Sequence, residues 1–149
     1  MTSFKDSFNK GLDSANQSIK NKEEIKEVFT DLNKELSELT GNKIEVLVHT
    51  FSEKLESPTA TASIFGSVLE EMTRPKYRDY QGIGARNPSK NSSIHELATW
   101  SQGRSGYPCK VKFGSKAFIC EDKEGLIEAL SELLEDPETG EIFQRLMET

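Results

Sequence analysis

Cys109 and Cys120, with His49 and His95, are the only cysteines and histidines in this chain, and a cysteine nucleophile or a zinc site would be built from them. A structural zinc site takes four ligands, and neither histidine stands at ligand-type spacing from either cysteine. A cysteine nucleophile needs a neighbouring base to hold it as thiolate, which leaves Cys109 or His95 as what a small enzyme would use. The better-supported expectation is that both thiols pack as small hydrophobes, with a cross-strand disulfide as the redox alternative. Residues 82–87, Gly-Ile-Gly-Ala-Arg-Asn, begin like a dinucleotide-binding turn. Asn87 stands where the third glycine belongs, and no strand–turn–helix unit with an acidic partner surrounds it. What remains there is a glycine-rich stretch able to form a backbone anion nest beside Arg86. The abundant carboxylates recur at the spacing of solvated helix faces rather than of an acid/base pair. No cofactor, metal ligand set or catalytic residue is assigned.

A second chemistry lies in the distribution of charge. The formal net charge is −6. Residues 73–120 carry nine basic side chains against only Asp79 and Glu96, a local +7 between a −5 segment before it and a −8 segment after it. All three tyrosines (Tyr77, Tyr80, Tyr107) and the single Trp100 fall inside this basic stretch, with four of the five arginines. Arg, Tyr and Trp together are the composition of an interface hot spot, and cations among aromatics also suit nucleic acid. Arg74, Arg78, Tyr80, Arg86, Trp100, Arg104 and Tyr107 are therefore the candidate partner-binding residues. The competing expectation is that these aromatics are core and the cations neutralise the acidic C-terminal helices internally.

These residues need elements to position them. Residues 1–20 place Phe4, Phe8, Leu12, Ala15 and Ile19 at helical spacing, but Gly11 and several Ser and Asn weaken it, giving a loosely held helix. A stronger helix follows, with Asn21 and Glu24 as a capping pair, a stripe of Ile25, Val28, Phe29, Leu32, Leu36 and Leu39, and Gly41 at its end. That stripe also reads as two heptads, so a coiled-coil dimer is the alternative to docking on the domain's own sheet. Residues 44–51 have strand character. Ala62, Phe65, Val68, Leu69 and Met72 fit a helix that Pro75 ends. Residues 81–93 read as a long loop, and Ile94, Leu97, Ala98 and Trp100 as a short helix capped by Ser93 and Glu96. Gly114-Ser115 suits a type II′ hairpin turn. That register puts Cys109, Val111, Phe113, Phe118 and Cys120 on one face, with Lys110 and Lys112 on the other. Asp122 caps a helix through Leu126, Ile127, Leu130, Leu133 and Leu134, and Asp136-Pro137 stops it and starts another.

The expected fold class is thus α+β: N-terminal amphipathic helices, a small mainly antiparallel sheet around the 109–120 hairpin, and two C-terminal helices. The 149 residues fit a single domain spanning 1–149. Nothing approaches the apolar length of a spanning helix, and residues 1–20 have no apolar run, so no membrane role is expected and the cytoplasm is the expected location. Three functions follow in order. The first is a non-enzymatic regulatory or interaction protein binding a macromolecule, most simply an acidic protein surface, through the 73–120 segment. The second is a nucleic-acid binder using the same patch, which the flanking acidic segments disfavour. The third is a small enzyme using Cys109 or His95. The oligomeric state is open.

Overall fold

The computed structural model describes residues 3–55 and 76–148. The sequence-predicted helix through 62–72 and Arg74 lie outside them. The chain begins with one helix, α1 (Phe4–Thr40), where two segments were expected. Its cap is Ser3, whose Oγ accepts from the Asp6 N–H. Asn21, the expected cap, sits mid-helix because its amide is used elsewhere. It accepts from Gln17 Nε2 at 2.9 Å and donates to the Ser105 carbonyl at 3.0 Å. With no proline or competing cap between the segments, helical hydrogen bonding runs through. Gly41, in the left-handed region at φ 66°, ends it as expected.

Five strands follow: β1 (Glu45–Lys54), β2 (Tyr77–Arg86), β3 (His95–Gly103), β4 (Gly106–Phe113) and β5 (Lys116–Cys120). They form one antiparallel sheet in sequential order, β1-β2-β3-β4-β5. Two helices close the chain, α2 (Lys123–Glu135) and α3 (Pro137–Met147). Asp122 caps α2 through Gly125 N–H, and Asp136 caps α3 with Pro137 in its first turn, both as the sequence predicts.

Residues 81–86, expected in a loop, are the second half of β2. Glycine there answers crowding rather than flexibility. A Cβ on Gly82 would lie 2.9 Å from the Phe51 ring and from the Ala98 carbonyl, and one on Gly84 would collide with Ile94. The turn after β2 is tied by buried Asn87. Its N–H donates to Ser92 Oγ, its Nδ2 donates to the Leu146 carbonyl, and its Oδ1 accepts from Ser89 N–H, each at 2.9 Å.

The helix expected through 94–100 is β3. The register shifts opposite Ile83 and Gly84, which pair with Ala98 and Glu96 and leave Leu97 as an extra residue. That bulge buries Leu97 and Ala98 in succession, breaking the two-residue alternation so that the apolar spacing imitates a helix. The β4–β5 hairpin has the predicted register, Cys109 opposite Cys120, Val111 opposite Phe118 and Phe113 opposite Lys116.

One face of the sheet is covered. Val46, Ile83, Ala85, Ala98, Trp100, Cys109, Val111, Phe113 and Cys120 meet Ile25, Val28 and Leu36 of α1 and Leu126, Ala129, Leu130 and Leu133 of α2 in a continuous core. The stripe from Ile25 to Leu36 therefore docks on its own sheet, whereas Leu39, its last expected member, is 82% exposed. The free edge of β1 is sealed at one point by Asn33 of α1. Its Nδ2 donates to the Val46 carbonyl and its Oδ1 accepts from the Val46 N–H, both at 2.8 Å. No described helix is long and apolar enough to cross a membrane.

Candidate interaction surface

Strand alternation sends every second side chain to the face away from the helices. On β4 these are Lys110 and Lys112, on β3 Thr99 and Ser101 directly opposite them, and on β5 Ala117 and Ile119. All six are exposed. Toward β2 and β1 the same face carries Tyr80, Arg78 and Glu53, with Glu96 from β3. Together these residues line an open trough of about 770 Å³.

Charge within the trough is unevenly satisfied. Arg78 pairs with Glu53 at 3.0 Å, and Tyr80 donates its hydroxyl proton to Glu96 at 2.8 Å. That hydrogen bond, followed by burial and the Glu96 charge, raises the Tyr80 pKa and keeps the phenol protonated. The Tyr80 ring stacks on Phe51 at 6.0 Å, and Phe51 in turn covers the glycines of β2. Lys110 and Lys112 make no ion pair among the described residues.

The seven candidate residues from the sequence do not form one surface. Arg78 and Tyr80 lie in the trough. Arg86 is on the same face of the sheet, at the far end of β2, paired with Glu45 at 3.2 Å. Trp100 points the other way into the core, 5% exposed, with its ring edge-on to Phe29 at 5.5 Å. Tyr107 lies on the helix side, its hydroxyl donating to Glu24 at 2.7 Å, and desolvation followed by that bond raises its pKa. Arg104 is exposed in the β3–β4 turn, and Arg74 is outside the described residues. Composition favours arginine and omits Lys110 and Lys112 from the site, whereas alternation within the hairpin puts both on its far face.

The basic segment and the acidic C-terminal helices meet through Lys116 of β5 and Glu132 of α2, 3.2 Å apart. The paired arginines reach β1, not those helices. Compensation of the C-terminal helices thus accounts for Lys116 alone, Arg78 and Arg86 are taken by β1, and Lys110 and Lys112 have no ion pair among the described residues.

No family model matches this chain, and neither a curated protein nor a solved structure is significantly similar to it. Its chemistry must be read from its own residues. Cys109 and Cys120 are both free and buried. Burial, with a smaller contribution from Cys120, pushes the Cys109 thiol up to about 12, and burial followed by Asp122 and Glu128 raises Cys120. Neither is a thiolate near neutral pH. His95 opens β3, whereas Cys109 lies opposite Gln102 near its other end. The two positions are seven residue steps apart along the strand, about 23 Å at ~3.3 Å each. Among the described residues no group of three His, Cys, Asp or Glu side chains is placed to hold a metal ion.

Proposed function

We propose that this is a non-enzymatic binding protein that takes an acidic stretch of another polypeptide along the open face of its sheet. The observation that carries this reading is a trough with Lys110 and Lys112 on its floor that no described residue covers. Side chains two apart on a strand stand about 7 Å from each other, so the two ammonium groups can address successive acidic side chains of an extended partner. Thr99 and Ser101 offer hydroxyls beside them, Tyr80 supplies an amphipathic wall, and Ile119 gives apolar contact at the opposite rim. The acidic helices stand on the other side of the sheet, so their field does not oppose an acidic partner at this face.

A nucleic acid is the weaker fit. Specific phosphate binding commonly draws on ~6–10 cationic contacts. Here Arg78 and Arg86 are already bound to Glu53 and Glu45, and Glu96 adds a further negative charge to the trough. The two free, buried thiols agree with a reducing compartment such as the cytoplasm.

The test uses a poly-glutamate peptide as probe. Wild-type protein should bind it with an affinity that falls as salt rises, and the double substitution Lys110→Glu with Lys112→Glu should abolish binding without altering the melting curve. A photo-cross-linking residue at Thr99 should then label a polypeptide in native lysate, nuclease-insensitively and in competition with poly-glutamate. Binding that survives the charge reversal, or labelling that nuclease removes, would overturn the reading.

A further inference from the structure

Among the described residues, the first half of α1 is a helix with nothing to lean on. Its contact with the body begins at Asn21, and from there toward the N-terminus Phe4 is 96% exposed, Phe8 66%, Leu12 50% and Ile19 55%. With Ala15 these side chains form one stripe. At about 100° per residue it is turned roughly 110° from the buried stripe of Ile25, Val28, Leu32 and Leu36. The exposed stripe is therefore a second surface rather than an overhang of the first, and a partner can lie along it without displacing the sheet. Local propensity does not hold this segment helical. Ser7, Asn9, Gly11, Ser14, Asn16 and Ser18 all weaken it, and a lone helix of this length is marginal in water.

We propose that the stripe is the interface of a homodimer in which the N-terminal halves of two α1 helices pair antiparallel. This surface is separate from the sheet trough. The segment complements itself in that arrangement. With Leu12 of each copy against Ala15 of the other, Phe8 meets Ile19 at both ends of the two-fold pair. On one flank Lys5 of each copy comes beside Glu23 of the other. On the opposite flank, Ser7, Gly11, Ser14 and Ser18 meet their own counterparts, small against small, so the backbones can approach closely. Complete burial of two phenylalanines, a leucine and an isoleucine from each copy would bring the total to at most about 1,000 Å², the lower bound for a specific interface. A membrane surface is a poorer occupant. Lys5, Lys10 and Lys20 are offset by Asp6 and Asp13, whereas interfacial helices concentrate cations on the polar face.

Sedimentation equilibrium of the full chain tests this. The wild type should reach twice the 16.7 kDa chain mass, and Phe8→Asp combined with Leu12→Asp should return it to monomer. Near-ultraviolet circular dichroism from buried Trp100 should be the same in both, showing that the body is intact. Orientation is read by mixing a Phe8→Cys chain with an Ile19→Cys chain under mild oxidation. Disulfide-linked heterodimers should exceed homodimers several-fold, since only the antiparallel pair brings the two positions together. A wild type that stays monomeric across the dilution series overturns the proposal, with or without binding to phosphatidylglycerol vesicles. Homodimeric cross-links in excess overturn the antiparallel arrangement.

Discussion

Asn33 shows how much one side chain can settle. A strand edge left open is a template for unwanted pairing, and the Asn33 amide closes that of β1 at Val46 by donating and accepting as a neighbouring strand would. Asn33→Leu keeps the volume but removes both bonds. It should cost about 1–3 kcal/mol in chemical denaturation, with faster hydrogen exchange at the Val46 amide. The two cysteines make a different case. Both should resist alkylation near neutral pH in the folded protein and react fully once it is unfolded, because burial keeps them as thiols. Cys109 also ties stability to alkaline pH. Its folded pKa, about 12, lies above the ordinary 9.0, so the native state holds the proton that the unfolded chain releases. This contribution is complete below pH 9 and drains away between about pH 9 and 12. Denaturation across that window should fall more steeply for the wild type than for Cys109→Ala.

At the level of elements, the two C-terminal helices are secured by their caps. Asp136 stops α2 and accepts from the N–H groups of Glu138 and Thr139 in α3. Asp136→Ala should cost about 1 kcal/mol, within the usual range of ~0.5–2 for a lost cap, read as a shift in denaturation midpoint. The β2 strand is secured from outside, by Phe51 lying over glycines that admit no Cβ. Gly82→Ala forces either the Phe51 ring or the Ala98 carbonyl to move. It should destabilise the protein by about 1–3 kcal/mol, the range for overpacking. The α1 helix divides near Asn21. Beyond it Ile25, Val28 and Leu36 are buried, and before it Phe4, Phe8, Leu12 and Ile19 are exposed.

For the whole molecule, the sheet stands between the acidic α2 and α3 and the open face that carries Lys110 and Lys112. Beside these lysines lie the paired Arg78 and Glu53 and the carboxylate of Glu96, and among the described residues neither lysine makes an ion pair. The two lysines are the patch on which the proposed binding rests, because a field is set by charges within about one Debye length. Removing that patch should leave the fold alone. Lys110→Glu with Lys112→Glu should shift stability by less than ~0.5 kcal/mol, as surface changes do. Lys116→Ala loses one half-exposed ion pair and should cost no more than ~1 kcal/mol.

The hairpin with its register, the two C-terminal helices with their caps and the α+β class were legible in the sequence because each rests on local rules. Alternation, a Gly-Ser turn and an Asp before a helix act over a few neighbours. The strands misread as loop and helix were not legible, because their cause is distant. Gly82 and Gly84 answer to Phe51 on the paired strand, and the bulge at Leu97 follows from pairing with β2. The candidate site divided in the same way. Composition pointed to Arg78 and Tyr80, but only the folded sheet sends Trp100 inward, binds Tyr107 to Glu24 and leaves Lys110 and Lys112 facing an open trough. Which face of a strand is buried is decided by the helices that pack on it, and alternation alone is symmetric between the two.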